Sequence, residues 1–355
     1  MRNEDVFVQL VRLGIEHRAE RITDEIEWNI VEALAERQGL SAIVVDAVDS
    51  LPTTNRPPQE KLLQWIGESI QDYEYRYELY CRAIAELAAF YHEHGCKMMV
   101  LKGYACSRDW PIPKHRPCGD IDIWQFGQQK EADALITKEK GIQIDNSHHH
   151  HTVFRWHDFM VENHYDFINV YHHKSNSELE IIFKEQGADD SHYVELYGEK
   201  VYLPSSNLHA LFLLRHSMVD FAACELSLRQ VLDWAFFVNA HGKEVDWKWL
   251  LQVLDKFNMR NFFNCLNAIC VEDLGFDQNV FPYIQFEPQM KNRVFKEIMS
   301  PSFSREEPQG FIPRVIYKYR RWKGSEWKHR LCYNESMWSA FRSGVWNHLL
   351  KPASI

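Results

Sequence analysis

The sequence predicts an α/β (α+β) protein in which a mixed-sheet module sits between helical N-terminal and C-terminal regions, and three observations carry that prediction. Apolar residues recur at helical spacing before residue 95 and again after residue 203. Lys97-Met-Met-Val-Leu-Lys-Gly103 is a short apolar run ended by a glycine, which reads as a buried strand. In Gly119-Asp-Ile-Asp-Ile123, acidic and apolar residues alternate with the period of two that a strand imposes.

The elements follow in order. Within residues 4–50, Val8, Val11 and Ile15, then Trp28, Val31, Leu34 and Ala35, mark helical faces. Leu51-Pro-Thr-Thr-Asn-Arg-Pro-Pro58 interrupts them as a loop, because proline removes backbone donors. Residues 59–94 read as one long helix or two consecutive helices, with a stripe of Tyr80, Ile84, Leu87 and Tyr91, and Gly95 ends them. The chain is therefore divided into a helical region 1–94, a sheet module 95–203 and a helical region 204–355. Inside the module, 128–140 is a helix closed by Gly141, 153–167 is one strand or two, and Ser175-Asn-Ser-Glu178 has the capping-box pattern of a helix running to about residue 186. Leu203-Pro204 closes the module; residues 208–222 and 226–240 form consecutive amphipathic helices, continued from Trp247.

Composition narrows the class. With 355 residues, 45% hydrophobic and 14% aromatic, the chain can bury a sizeable core. No run of about 18 apolar residues is present, and Met1-Arg-Asn-Glu-Asp-Val6 lacks the apolar core of a secretion signal, so the expectation is a cytoplasmic protein without a membrane partner. Eight cysteines without a CxxC pair read as reduced thiols rather than a zinc knuckle or disulfide framework. A net charge of -10 disfavours nucleic acid as a partner.

The chemistry lies in the strand carrying Asp120 and Asp122. Alternation sends Ile121 and Ile123 to one side and both carboxylates to the other, roughly 7 Å apart, a hard-oxygen pair suited to Mg2+. The glycine at 103 lets backbone approach a phosphate unobstructed.

On Leu101-Lys-Gly103, Arg116-Pro-x-Gly-Asp-Ile-Asp122, Val161-Glu-Asn-His-Tyr165 and Leu228-Arg-Gln-Val-Leu-Asp-Trp234, the chain resembles the nucleotidyltransferase superfamily to which DNA polymerase beta belongs, and within it a family of uncharacterised bacterial nucleotidyltransferases. The resemblance implies transfer of a nucleoside monophosphate from an NTP, with Mg2+ or Mn2+, to an acceptor the sequence does not name. It departs from the superfamily pattern at Tyr104, where Gly or Ser is usual after Gly103, and in the longer gap before the aspartates.

A two-metal transfer site calls for a third acid on a neighbouring strand. Glu162 is that candidate, sharing a strand face with Asp158, Met160 and His164; Asp158 and Asp166 are the fallbacks. The assigned roles are metal binding by Asp120 and Asp122, and metal binding with base assistance by Glu162. Lys102 and Arg116 are assigned to the triphosphate, with the amides of Gly103 and Tyr104; Gly119 relieves crowding before the strand, and His164 orients Glu162 or touches substrate.

Four further features have plainer accounts. His148-His-His-His151, with His157, His164, His172 and His173, could bind a transition metal, but a solvated loop is the preferred reading. Arg229 and Asp233, four apart on a helix, are expected to pair with each other, and Arg215 and His216 to line the far wall of the cleft. Residues 314–330 interleave cations and aromatics, expected as an amphipathic helix with its aromatics packed inward. The rival to an enzyme is a noncatalytic nucleotide-sensing or antitoxin-like binding protein on the same fold; a kinase-like phosphotransferase lacks its Gly-rich loop.

Overall fold

In the computed structural model, residues 3–18, 22, 25–171, 173–282, 285–303, 308–339 and 342 are described. Helices α1 (Asn3–Gly14), α2 (Trp28–Gln38) and α3 (Ser41–Val48) come first. After the proline-rich loop, α4 (Gln59–Trp65) runs through a π turn at Ile66–Gln71 straight into α5 (Asp72–Glu93), so 59–94 is one rod with a distortion.

A six-stranded mixed sheet follows, with β1 (Met99–Val100), β2 (Ile121–Trp124), β3 (His151–Trp156), β4 (Phe159–His164), β5 (Tyr193–Leu196) and β6 (Glu199–Tyr202). Their spatial order is β3-β4-β2-β1-β6-β5. β2 and β4 run parallel, in a register that sets Asp122 opposite Glu162. The two-strand reading of 153–167 holds: β3 and β4 form an antiparallel hairpin whose turn carries His157 at φ 51°. The β5–β6 hairpin was not anticipated from the sequence.

Both sheet faces are covered. α5 and α7 (Gln129–Lys140) pack on the face that receives Val100, Ile121, Ile123 and Val161. The opposite face, with Met99, Leu101 and Trp124, shares its core with α8 (Lys174–Gln186) and α9 (Ser206–Ala222). That core continues through α1–α3 and through α10 (Leu228–His241), α11 (Trp247–Lys256), α12 (Arg260–Ala268) and α13 (Pro288–Met299). Asp122 therefore projects from the sheet toward the larger helical core, where a polar group is costly unless something compensates it.

Two expectations need correction. The capping box at Ser175 does not form: α8 begins at Lys174, and the Ser175 amide donates instead to the distant Glu335 Oε1 at 2.6 Å. The capping box appears at α10, where Ser227 and Gln230 cap each other. The basic aromatic segment turns inward only in part: α14 (Phe311–Gly324) leaves Phe311, Ile312, Val315, Ile316 and Tyr319 exposed, whereas Trp327 of α15 (Glu326–Cys332) packs against the helical core. All eight cysteines are buried free thiols. Among the described residues, no helix is long and apolar enough to cross a membrane.

Candidate active site

The open cleft has a volume of about 970 Å³ and lies between the sheet face that carries Asp122 and the helices packed over it. Lys102, Gly103, Gly119, Asp120, Asp122 and Glu162 line its floor; α9 and α10 supply His216, Asp220 and Arg229 from above. The end of α2 and residues 298–303 close its side, a wall that no motif announces.

The β2–β4 register puts Asp122 and Glu162 side by side, and their carboxylate oxygens and a nitrogen of His164 all lie within 4.8 Å of one another. Lys102 Nζ is 2.8 Å from Asp122 Oδ1, and His164 Nε2 stands 3.3 Å from the same oxygen and 3.7 Å from Glu162 Oε2. Burial opposes ionisation of Asp122, but Lys102 and the His164 contact outweigh it and hold this carboxyl well below the usual range. Glu162 behaves oppositely: burial, then the charge of Asp122, push it up to about 7. Two adjacent carboxylates with such divided proton affinities, one fixed as an anion and one poised near neutrality, suit a cation-binding acid beside a proton acceptor.

Asp120 falls one residue before β2 rather than within it. It lies at the exposed lip of the cleft, where partial burial and then Asp122 raise its pKa. Gly119 is exposed beside it, with open space around its α-carbon. Of the fallback acids, Asp158 sits in the β3–β4 turn and Asp166 is paired with Lys184 at 2.5 Å; neither lines the cleft.

Arg116 requires a correction. It lines the cleft, but its guanidinium is buried and clamped on both oxygens of Asp233, at 2.7 and 2.8 Å, with Trp110 Nε1 donating to the same carboxylate at 2.9 Å. Its charge is already compensated. The expected Arg229–Asp233 pair is correspondingly absent, and Arg229 is left on the cleft wall with no ion-pair or hydrogen-bond partner among the described residues. Its stem lies against Gly39, the left-handed cap of α2, where an added Cβ would come within 3.2 Å of Arg229 Cδ. Burial, and then the neighbouring Arg116 charge, lower the Arg229 pKa. The four-residue spacing had suggested otherwise; only the approach of Arg116 from another part of the chain decides the pairing.

Arg215 also departs from expectation. It turns away from the cleft to the Cys332 carbonyl and Asn176 Oδ1, at 3.3 and 2.6 Å. His216 does line the wall, 3.3 Å from Asp220. Of the histidine-rich region, His157 pairs with Glu86 at 2.7 Å, His173 stacks on Tyr333, and His172 lies outside the described residues.

Gly103 and Tyr104 do different jobs from each other. Gly103 has φ 49°, and a Cβ there would sit 2.0 Å from the hydroxyl of Tyr80, which donates to the Asp120 carbonyl at 2.9 Å. The glycine thus admits the tyrosine that holds the aspartate loop. The Tyr104 side chain is buried in the α5–α7 core, so only its backbone remains near the cleft. Gly103→Ala is expected to lower stability by at least about 1–2 kcal/mol from the left-handed backbone alone, and Tyr80→Phe should restore part of that loss by removing the clashing oxygen. Thermal unfolding of the two single variants and the double variant checks it; strict additivity would refute this account of Gly103.

A six-stranded mixed sheet with opposed carboxylates and lysine in a helix-walled cleft is the framework of a group-transferring enzyme. Residues 24–275 match the model of the uncharacterised nucleotidyltransferase family, and the chain belongs to that family. No curated protein and no solved structure matches it.

Proposed function

We propose that this chain is a metal-dependent nucleotidyltransferase of the DNA polymerase beta-like kind, moving a nucleoside monophosphate from an NTP to an acceptor hydroxyl or phosphate. The observation that carries the reading is the Asp122–Glu162 pair, set side by side by parallel strands at the floor of a cleft whose walls offer the cations Lys102 and Arg229.

The donor set fits a divalent cation, since two carboxylates and an imidazole nitrogen converge beside Lys102. Asp122, Glu162 and, from the lip, Asp120 would hold Mg2+ or Mn2+. Such an ion, when bound, neutralises phosphate charge and lowers the pKa of an attacking hydroxyl. The remaining work falls to the chain. Lys102 offers its ammonium to the triphosphate, and Arg229 offers the planar fork that matches phosphate oxygens. Glu162, beside the position of the acceptor, takes its proton. Arg116 and Asp233 hold the approach to β2 against α10, fixing where Asp120 and Asp122 emerge.

The direct test is incubation with each NTP labelled at the α-phosphate, Mg2+ or Mn2+, and a cell extract. Label on a protease-sensitive, RNase-sensitive or small-molecule product identifies the acceptor class. Binding of the NTP without any label transfer, across all four nucleotides and both ions, would instead favour a noncatalytic nucleotide sensor.

Arg229→Met separates the two arginines. Loss of one charged phosphate contact is worth about 1.5–3 kcal/mol, so calorimetry should show NTP affinity falling roughly 10- to 100-fold. The melting temperature should hold or rise, because an uncompensated cation has been removed. Unchanged NTP affinity would remove Arg229 from the triphosphate site.

A further inference from the structure

We infer that His150, His151 and His164, with the Glu162 carboxylate beside them, form a second metal site, one that takes a borderline divalent transition metal such as Zn2+. This goes beyond the nucleotidyl-transfer reading, and its ligands include two residues that the transfer reaction does not use, His150 and His151.

The three imidazoles offer ring nitrogens that all lie within 4.8 Å of one another. Their centroids are 4.3 Å apart for His150–His151, 5.5 Å for His150–His164 and 5.3 Å for His151–His164. The Nδ1 atoms of His150 and His151 are buried and have no hydrogen-bond partner among the described residues, a costly condition that a metal bond would relieve. Glu162 Oε2 is 3.9 Å from His151 Nδ1 and 3.7 Å from His164 Nε2, so the carboxylate closes the group as a fourth donor. His164 is oriented for this: its Nδ1 lies 3.2 Å from the Asp166 carbonyl, which fixes the ring and presents Nε2. Three nitrogens and one carboxylate oxygen suit a tetrahedral ion with bonds of about 2.0–2.2 Å, reached by small ring rotations.

The rest of the histidine run is built differently. His148 is part-exposed and 3.7 Å from Asp145, and it stacks on the outer side of His151; His149 packs against Tyr171. The site is thus two inward histidines of the run joined to the third strand partner, not a loose imidazole tract. Because Glu162 and His164 belong to both groups, a transition metal here would fix the position of the carboxylate that faces Asp122.

The test uses the full chain stripped of metal, with Zn2+ as the probe and metal analysis after equilibrium dialysis as the readout. One tightly held Zn2+ per chain is expected for the unaltered protein, for His148→Ala and for Asp120→Asn, and its loss is expected in the His150→Gln/His151→Gln double variant. No bound Zn2+ in the unaltered protein, undiminished binding in the double variant, or loss in His148→Ala to the same extent would overturn the proposal. Should the double variant fail to fold, the Co2+-loaded unaltered protein decides: strong visible absorption of a four-coordinate ion supports the site, and the weak absorption of a six-coordinate ion refutes it. Zn2+ held as described by a protein that transfers no nucleotide would sink the functional reading and leave this one standing.

Discussion

Exchanging Asp120 and Asp122 together for asparagine is expected to abolish the proposed nucleotidyl transfer, by about 1000-fold or more if the loss matches that of a charge-stabilising group in other active sites, while the far-ultraviolet circular dichroism should stay that of the folded protein. The reasoning starts from charge. Asp122 is the acid that the site keeps ionised, through Lys102 at 2.8 Å and His164 at 3.3 Å, whereas Glu162 alone is pushed up to about 7. With asparagine at both positions, a divalent cation would face the Glu162 carboxylate in place of three, and Mn2+ binding should weaken along with turnover. The fold survives because Lys102 keeps Glu162 as a nearby anion and because the strand pairing of β2 is made by backbone. Transfer that persists in the double variant at a rate near that of the parent would end the assignment.

Asp233→Asn produces the largest loss of stability expected from a single polar substitution near the cleft. The carboxylate accepts two bonds from the Arg116 guanidinium and one from Trp110 in a buried setting at the cleft wall. Removing one partner of such a pair leaves an uncompensated buried charge, at about 3–5 kcal/mol. The pH dependence has a definite sign. Burial disfavours the Asp233 anion, but Arg116 outweighs it and lowers the pKa. A depressed carboxylate contributes stability above its unfolded pKa of about 3.9 and surrenders it as the pH falls through the folded value. Denaturant unfolding at pH 7 should therefore show the full gap between variant and parent, and the gap should narrow in strong acid. A variant as stable as the parent at pH 7, or a gap that widens in acid, would contradict the pairing. Activity should fall too, because the 116–120 segment loses its anchor to α10.

Set beside Arg229→Met, this variant makes the two arginines distinguishable. One costs stability when its partner is lost; the other costs nucleotide affinity when it is itself removed. No reading of a single helix could have separated them, since Arg229 and Asp233 have the spacing of an intrahelical pair. The clamp on Asp233 comes from Arg116, 117 residues earlier in the chain.

The same division runs through the rest of the site. Alternation along β4 gave Glu162 and His164 a common face, and the apolar positions of β2 gave Ile121 and Ile123 the other; both placements follow from strand geometry alone. Lys102 was legible as a cation next to a glycine turn. By contrast, the strand order that makes Asp122 and Glu162 neighbours depends on β2 and β4 pairing across α7 and β3, a contact between segments some 40 residues apart. The inward turn of His150 and His151 was not legible either, because four successive histidines carry no periodic signal about which rings face the protein.

The sequence by itself determined the α/β class, the helical regions, the acidic strand and the family-like motifs, because these depend on local periodicity and on residue types at short spacing. Tertiary structure alone decided which arginine is neutralised, which carboxylate is kept charged and which histidines meet, because those outcomes depend on burial and on partners brought from distant parts of the chain. A charge's environment, unlike a strand's alternation, is not encoded near the residue that bears it.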